Sequence, residues 1–330
     1  MTRIIGRLTS VGIAKEGTRG TAVAPVYFVP VRSLDFEDRV DTKDNESGFG
    51  TIDAAQDNVV IKQWADGGFE GKIYDLSEGV ILRALCGAAP GSVQRAASGV
   101  YDHTFTPANN NQHTTLTIAV KEANNDLRFA NAVVDTYSFE ATLDDYIHRT
   151  VSFVAKKGAG ASNTVSYTNE NEFLPKHMVA KFAAAGAASA TIDAASAVKI
   201  RSVKFDINKN AEGLQVLGSN DIDDAVNKQL EITGSIEMYY DDTTYKTLYQ
   251  NGTHQSLRLD VVNTDVTIGS THNPAIRFEF AEIAITGWEK GFDNNDIVTQ
   301  TLEFKGLLNL TQARSFQARL TNLYAGTNYA

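Results

Sequence analysis

The 330 residues contain a single cysteine, Cys86, so no disulfide can close within the chain and nothing points to an oxidising compartment. Cys86 stands in an apolar run with helical spacing, which predicts a buried, inert thiol. Proline is scarce, with six in all. No apolar run approaches the roughly 18 residues of a membrane helix. The opening Met1-Thr2-Arg3-Ile4-Ile5-Gly6-Arg7 is basic but lacks the apolar stretch of a signal peptide, so neither export nor a membrane anchor is expected.

Signatures of chemistry are missing as well. Gly158-Ala159-Gly160 lacks the third glycine and the Lys-Ser/Thr ending of a phosphate loop. The six histidines are scattered and none makes a zinc pattern. Asp221-Ile222-Asp223-Asp224 begins like a calcium loop, but no glycine follows at the sixth place and no glutamate at the twelfth, so it reads as an acidic turn. Asp144-Asp145 and Asp241-Asp242 are adjacent, and neighbouring side chains on a strand point to opposite faces, so neither is an acid/base pair. No nucleophilic triad can be chosen. The sequence predicts no enzyme, no cofactor and no metal. A net charge of −10 disfavours tight nucleic-acid binding, which needs clustered cations. It is compatible with a surface that nucleic acid passes without sticking.

What is present is alternation of period two. Val203, Phe205 and Ile207 share a face against Ser202, Lys204 and Asp206. Ile232, Ile236 and Met238 oppose Glu231, Thr233, Ser235 and Glu237. Such patterns mark strands with one buried and one wet face. One helix stands out: Asp75-Leu76-Ser77-Glu78 reads as a capping box, and Gly87 as a left-handed C-cap. A second, weaker helix follows Asp241-Asp242-Thr243 and ends at Gly252. The expected class is mainly β (α+β).

The pattern occurs twice. Val31-Arg32-Ser33-Leu34-Asp35-Phe36-Glu37 returns as Ile200-Arg201-Ser202-Val203-Lys204-Phe205-Asp206. The flanks agree: Val11 to Lys15 with His177 to Lys181, Leu127 to Ala130 with Ile276 to Glu279, Phe139-Glu140 with Trp288-Glu289, and Thr150 to Phe153 with Thr301 to Phe304. A repeated unit of this size is read before any other feature. It predicts a tandem duplication, copy one over about residues 11–158 and copy two over about 178–310. The two domains would be 1–165, with an N-terminal arm, and 166–330, with a C-terminal arm that docks on the fold or on a neighbour. The small, polar stretch from Gly158 to Thr164 serves as linker. The Ala-rich stretch Lys181 to Val198 is expected to form a hairpin around Ala185-Gly186, against its helix propensity.

The stretch from Val11 to Pro25, the following Phe28-Val29-Pro30-Val31, the Gly48-Phe49-Gly50 loop and Gly71-Lys72-Ile73-Tyr74-Asp75 together resemble the tail tube proteins of long-tailed bacteriophages. The resemblance implies a β-sandwich with one flanking helix in each domain. It also implies stacked rings around a channel for DNA, in the virion tail, assembled in the host cytoplasm. Single-domain members form six-fold rings, so a duplicated chain predicts a trimeric ring with pseudo-six-fold symmetry. Implied partners are further copies of the chain, a tape-measure protein and the proteins that end the tail; DNA would pass without specific binding. Asp35, Glu37, Lys204, Asp206, Glu231 and Glu237 are expected to face the lumen. Asp41, Lys43, Asp44, Glu46, Phe49, Asp221, Asp223 and Asp224 lie in two long polar loops, about 41–63 and 209–227, expected to join successive rings. The alternative is a tandem β-sandwich module binding a receptor or carbohydrate, for which only Trp64 and Trp288 offer aromatic surface.

Overall fold

The computed structural model describes residues 3, 5–95 and 98–329. It is 49% strand and 10% helix, which makes it mainly β as the alternation predicts. The first half contains β1 (Ser10–Lys15), β2 (Tyr27–Val29), β3 (Ser33–Leu34), β4 (Glu37–Asn45), β5 (Asp57–Lys72) and α1 (Glu78–Cys86), followed by β6 (Gly91–Arg95), β7 (Val100–Phe105), β8 (Leu116–Lys121), β9 (Asp126–Thr142), β10 (His148–Ala155) and β11 (Ala159–Gly160). The second contains β12 (Met178–Ala184), α2 (Ser189–Ala194), β13 (Ala197–Val198), β14 (Ile200–Asn208), β15 (Glu212–Leu214), β16 (Asp224–Val226) and β17 (Glu231–Tyr239). It continues with α3 (Thr244–Asn251), β18 (Gln255–Val262), β19 (Ala275–Gly291), β20 (Thr299–Gly306), β21 (Phe316–Asn322) and α4 (Gly326–Tyr329).

Each half has two layers joined by one long strand. In the first half β2, β1, β8 and the start of β9 pair in an outer layer, while the end of β9 pairs with β10, then β5, then β3 and β4, in an inner one. In the second half β13, β12, β18 and the start of β19 repeat the outer layer, and β19, β20, β17 and β14 the inner one. All pairs are antiparallel. β14 then pairs with the free side of β9 from Ser202↔Thr142 to Asn208↔Thr136, which fuses the inner layers into one eight-stranded sheet, counting β3 and β4 as one edge strand.

The registers recur with the pairing order. Val11↔Val29 in one half is Ala180↔Val198 in the other. Leu116↔Ala132 followed by Ile118↔Phe129 becomes Gln255↔Ile283 followed by Leu257↔Phe280, with the same β-bulge between them. Bulges bend a strand and raise its twist, which lets β9 and β19 pass from one layer to the other. These registers correct two sequence matches. Phe129 corresponds to Phe280, and Tyr137 to Trp288, two residues from the expected pairing; a slip of two leaves every side chain on its own face, so alternation cannot detect it. Val11 corresponds to Ala180, three residues from the expected match, because β12 is an alanine-rich strand without an alternating pattern.

A single core fills the space between the layers and runs through both halves. Two adjacent rows of the inner sheet show its sidedness. Arg149, Phe139, Phe205, Gly234 and Phe304 lie opposite one another in turn, with Phe139 and Phe205 stacked 5.0 Å apart across the join between halves. Gly234 is glycine because a Cβ there would lie 2.4 Å from the Phe304 ring. The next row, Lys72, His148, Glu140, Lys204, Ser235, Glu303 and Gly287, faces the other way and carries no large apolar side chain.

The first helix is held differently from the expectation. Asp75 does not cap it. The helix begins at Glu78 with no side-chain cap from Ser77, and Glu170, far along the chain, accepts the N–H groups of Leu76 and Ser77 at 3.1 and 2.6 Å. Glu78 instead turns into the core, where its carboxylate accepts Arg149 Nε at 2.8 Å and the Tyr137 hydroxyl at 2.9 Å. Burial pushes the Glu78 carboxyl up, against the pull of Arg149. Gly87 closes the helix in the left-handed region, φ 74°, as predicted, and Gly252 does the same for α3 at φ 60°. Cys86 is buried and its thiol is pushed up to about 12 by burial.

The Ala-rich stretch is a hairpin only at its base, where Ala180 and Lys181 pair with Val198 and Ala197; alanine's propensity prevails between them as the short helix α2. The linker is tied down by β11 and by Asn163, whose backbone N–H donates to Asp126 at 2.7 Å and whose side chain accepts from Arg128. The C-terminal arm docks on its own chain. β21 inserts between β19 and the first half's β7. Beyond it, the Tyr329 ring covers Gly79 of α1 and its hydroxyl donates to Leu76 O at 2.6 Å.

Two stability predictions follow from buried charges. Arg149→Met strands the Glu78 carboxylate, both side chains being 0% exposed, and should cost about 3–5 kcal/mol in denaturant unfolding; adding Glu78→Leu should restore much of the loss. Lys209, at the end of β14, crosses from the second half to donate to Ala84 O at the end of α1 at 3.0 Å. Burial lowers its pKa to about 7. Between that value and the ordinary lysine range the unfolded chain holds a proton that the folded chain has released, so stability rises with pH across this window and the cost of burying the charge is fully present below it. Lys209→Met should therefore raise Tm more at pH 6 than at pH 9.

Candidate assembly interface

The eight-stranded inner sheet ends in two open edges. One is β3 with the start of β4; the other is the end of β19, from Gly287 to Gly291, which among the described residues pairs with β20 alone. Unpaired N–H and C=O groups along such an edge template pairing with another chain. The covered counterparts are in the same molecule. Phe139, opposite Phe205, is fully buried, whereas the residue at its place in the second half, Lys290, is exposed. Ala141 opposes Val203 and is buried; its counterpart Phe292 is 70% exposed. At the other edge a groove of about 690 Å³ is lined by Val31, Leu34, Phe36 and Val120 among others. The groove is mixed in character, since Arg7, Arg32, Glu37 and Glu122 line it beside these apolar residues.

The wet face of the inner sheet carries more carboxylates than cations. Asp35, Glu37, Asp66, Glu70, Glu140, Asp206, Glu231, Glu237, Glu289 and Glu303 lie there with Arg39, Lys72, Lys204 and Lys305, and Arg32 and Arg201 reach in to Glu70 and Glu237. All six residues expected to line a lumen lie on this one face. Glu231 is paired with Lys305 at 2.7 Å and Glu237 with Arg201 at 2.8 Å, Asp206 accepts from the Ser138 hydroxyl, and Asp35 accepts Gly68 N–H at 2.9 Å. Alternation alone did not reveal Glu140, Glu289 and Glu303, because their rows are defined only by register.

The two long loops have different structures. Residues 41–63 are not a loop: β4 and β5 form a protruding hairpin with its tip over residues 46–56. Asp41, Lys43, Asp44, Glu46 and Phe49 lie along it, all exposed, together with the exposed apolar residues Val59, Val60 and Ile61. Residues 209–227 fold back through the β15·β16 pair onto the first half. There Ile222 and Ala225 pack with Val133, Trp64 and Val154, and Asp224 binds Arg19 at 2.7 Å. Asp221 bridges to Gln63 beside the hairpin and Asp223 stays exposed. The structure thus brings Asp221 to the hairpin, while Asp224 is half-buried in its pair with Arg19.

Trp64 and Trp288 form no shared platform. Trp64 Nε1 donates to Asp66 and Lys62 covers its ring, while Trp288 Nε1 donates to Gln300 at 3.0 Å and its ring meets Lys246 and Tyr240. Among the described residues no group of three or more potential metal-ligating side chains occurs and no helix is long and apolar enough to cross a membrane. The sequence model of the family described as phage tail tube protein matches residues 6–306 of the chain. No curated protein matches it.

Proposed function

Because the chain belongs to the phage tail tube protein family, and so has a structural role in the virion tail, we propose that three copies close into a ring, each filling two places of a pseudo-six-fold barrel, and that rings stack into the channel through which the genome leaves. Two domains, 1–165 and 166–330, related by duplication underlie this reading. The observation that carries it is the recurrence of pairing order and register in the two halves, with β9·β14 already joined and the equivalent edges of β19 and β3 left open. Repeating the β9·β14 ladder between chains sets Leu34 of one copy opposite Phe292 of the next, as Val203 is opposite Ala141. A barrel closed in this way leaves no strand edge, and a heterologous contact that closes yields a ring.

In the barrel the acidic face lines the lumen and repels phosphate, so DNA slides without binding. The β4–β5 hairpin, with Asp221 and Asp223 beside it, joins one ring to the next. A tape-measure protein in the lumen, proteins at the tube ends and assembly in the host cytoplasm belong to the same reading. A catalytic role has no place in it.

Phe292→Asp combined with Leu34→Asp should abolish rings and tubes in negative-stain images while circular dichroism of the monomer is unchanged; rings from the double variant, or rings of six chains, would overturn the trimer. Tubes carrying Glu140→Lys and Glu303→Lys should retain double-stranded DNA in low salt and release it as salt rises, where the native tube retains none.

A further inference from the structure

Helices α1 and α3 hold equivalent places but are treated unequally. Every residue of α1 is buried, and none of α3 is. Part of the cover on α1 is the segment that enters β12. Glu170 takes the N–H groups at its start, Asn171 donates to Asp75 through both its backbone and side-chain nitrogens at 2.8 Å, Glu172 forms a β-bridge with Tyr74, and Phe173 is fully buried. At the start of α3, among the described residues, only the adjacent Asp242 meets the helix N–H groups, accepting from Thr244 at 2.8 Å.

The recurrent register says what would lie there. The 3₁₀ turn Gly6–Leu8 before β1 stands where the turn Pro175–His177 stands before β12, so Arg3 takes the place of Glu172. The bond from Tyr240 N to Val298 O repeats that from Ile73 N to Ile147 O, so Asp241 takes the place of Tyr74. Transferred to a neighbouring copy, the bridge Glu172·Tyr74 becomes Arg3·Asp241, an opposite-charge pair with Asp242 beside it. Arg3, Asp241 and Asp242 are all exposed, and Ile5 and Leu8 are 67% and 66% exposed.

We propose that the segment entering β1, with Arg3 and residues 5–8, docks on the neighbouring chain in the ring, along residues 239–242 and the bare face of α3, as residues 170–173 dock on α1 within the chain. This rests on the ring reading and adds to it an interface outside the inner barrel, so that each junction between chains is fastened in both layers.

The test is an engineered disulfide in assembled material. Directly opposed residues of an antiparallel pair lie about 4.5–5.5 Å apart at Cα, within disulfide reach. Arg3→Cys with Asp241→Cys, in a Cys86→Ala background, should on oxidation give covalent trimers as the main species on a non-reducing gel, absent from either single-cysteine variant. Rings with three chains that run as monomers, or an intrachain bond that speeds the monomer, would overturn the docking and leave the ring standing. Failure to see closed rings of three before oxidation would overturn both. As a second measure, Asp241→Arg with Asp242→Arg should lower the salt concentration at which rings dissociate, and adding Arg3→Glu should restore it.

Discussion

Backbone hydrogen bonding at a sheet edge governs this molecule. A peptide N–H or C=O without a partner and shielded from water costs free energy comparable to a lost hydrogen bond. A strand must therefore be paired, wetted or covered. Between the two inner layers the problem is solved within the chain, where β14 lies against β9 over seven residue pairs. The aromatic contacts of Phe139, Phe205 and Phe278 across that join follow from the ladder, because register decides which faces meet. The bulges in β9 and β19 serve the same constraint, letting one strand satisfy its backbone in two layers.

Much of this was legible in the sequence. Faces were read from alternation, and the strands of β14 and β17 fell where Val203, Phe205, Ile236 and Met238 placed them. Registers were harder. A two-residue slip in β9 against β19 is invisible to a pattern of period two, and β12 has too little contrast between alanines to fix any register. Long-range partners were out of reach altogether: nothing near Asp75 announces that Glu170 will take the helix N–H groups, so a local capping box was the natural reading. The lumen-side candidates Lys204, Asp206, Glu231 and Glu237 were found because they sit on strongly alternating strands. Glu140 and Glu303 sit on strands whose other face was equally readable, but only cross-strand partners put them in the same row.

The two halves differ in what surrounds their equivalent helices. The first half has a β6–β7 hairpin and the buried Glu78, Arg149 and Tyr137 group. The second has neutral Gln300 and Trp288 in the matching places, and no hairpin. Burying an ion pair is weak support for stability, so its presence in one half alone is no measure of that half's strength. The asymmetry also means that a ring of three would show three-fold features on its outside around a nearly six-fold interior.

The insertion of β21 between β19 and β7, with Tyr329 seated on Gly79, has a consequence for biosynthesis. The hydrophobic helix of the first half cannot be fully sheltered until residue 329 has left the ribosome, so about 240 residues separate the helix from its last covering side chain. Contacts that distant in sequence form late, since the loop entropy is lost before they repay it. The first half therefore reaches its final packing only through a segment that follows the second, which ties the folding of the two halves together.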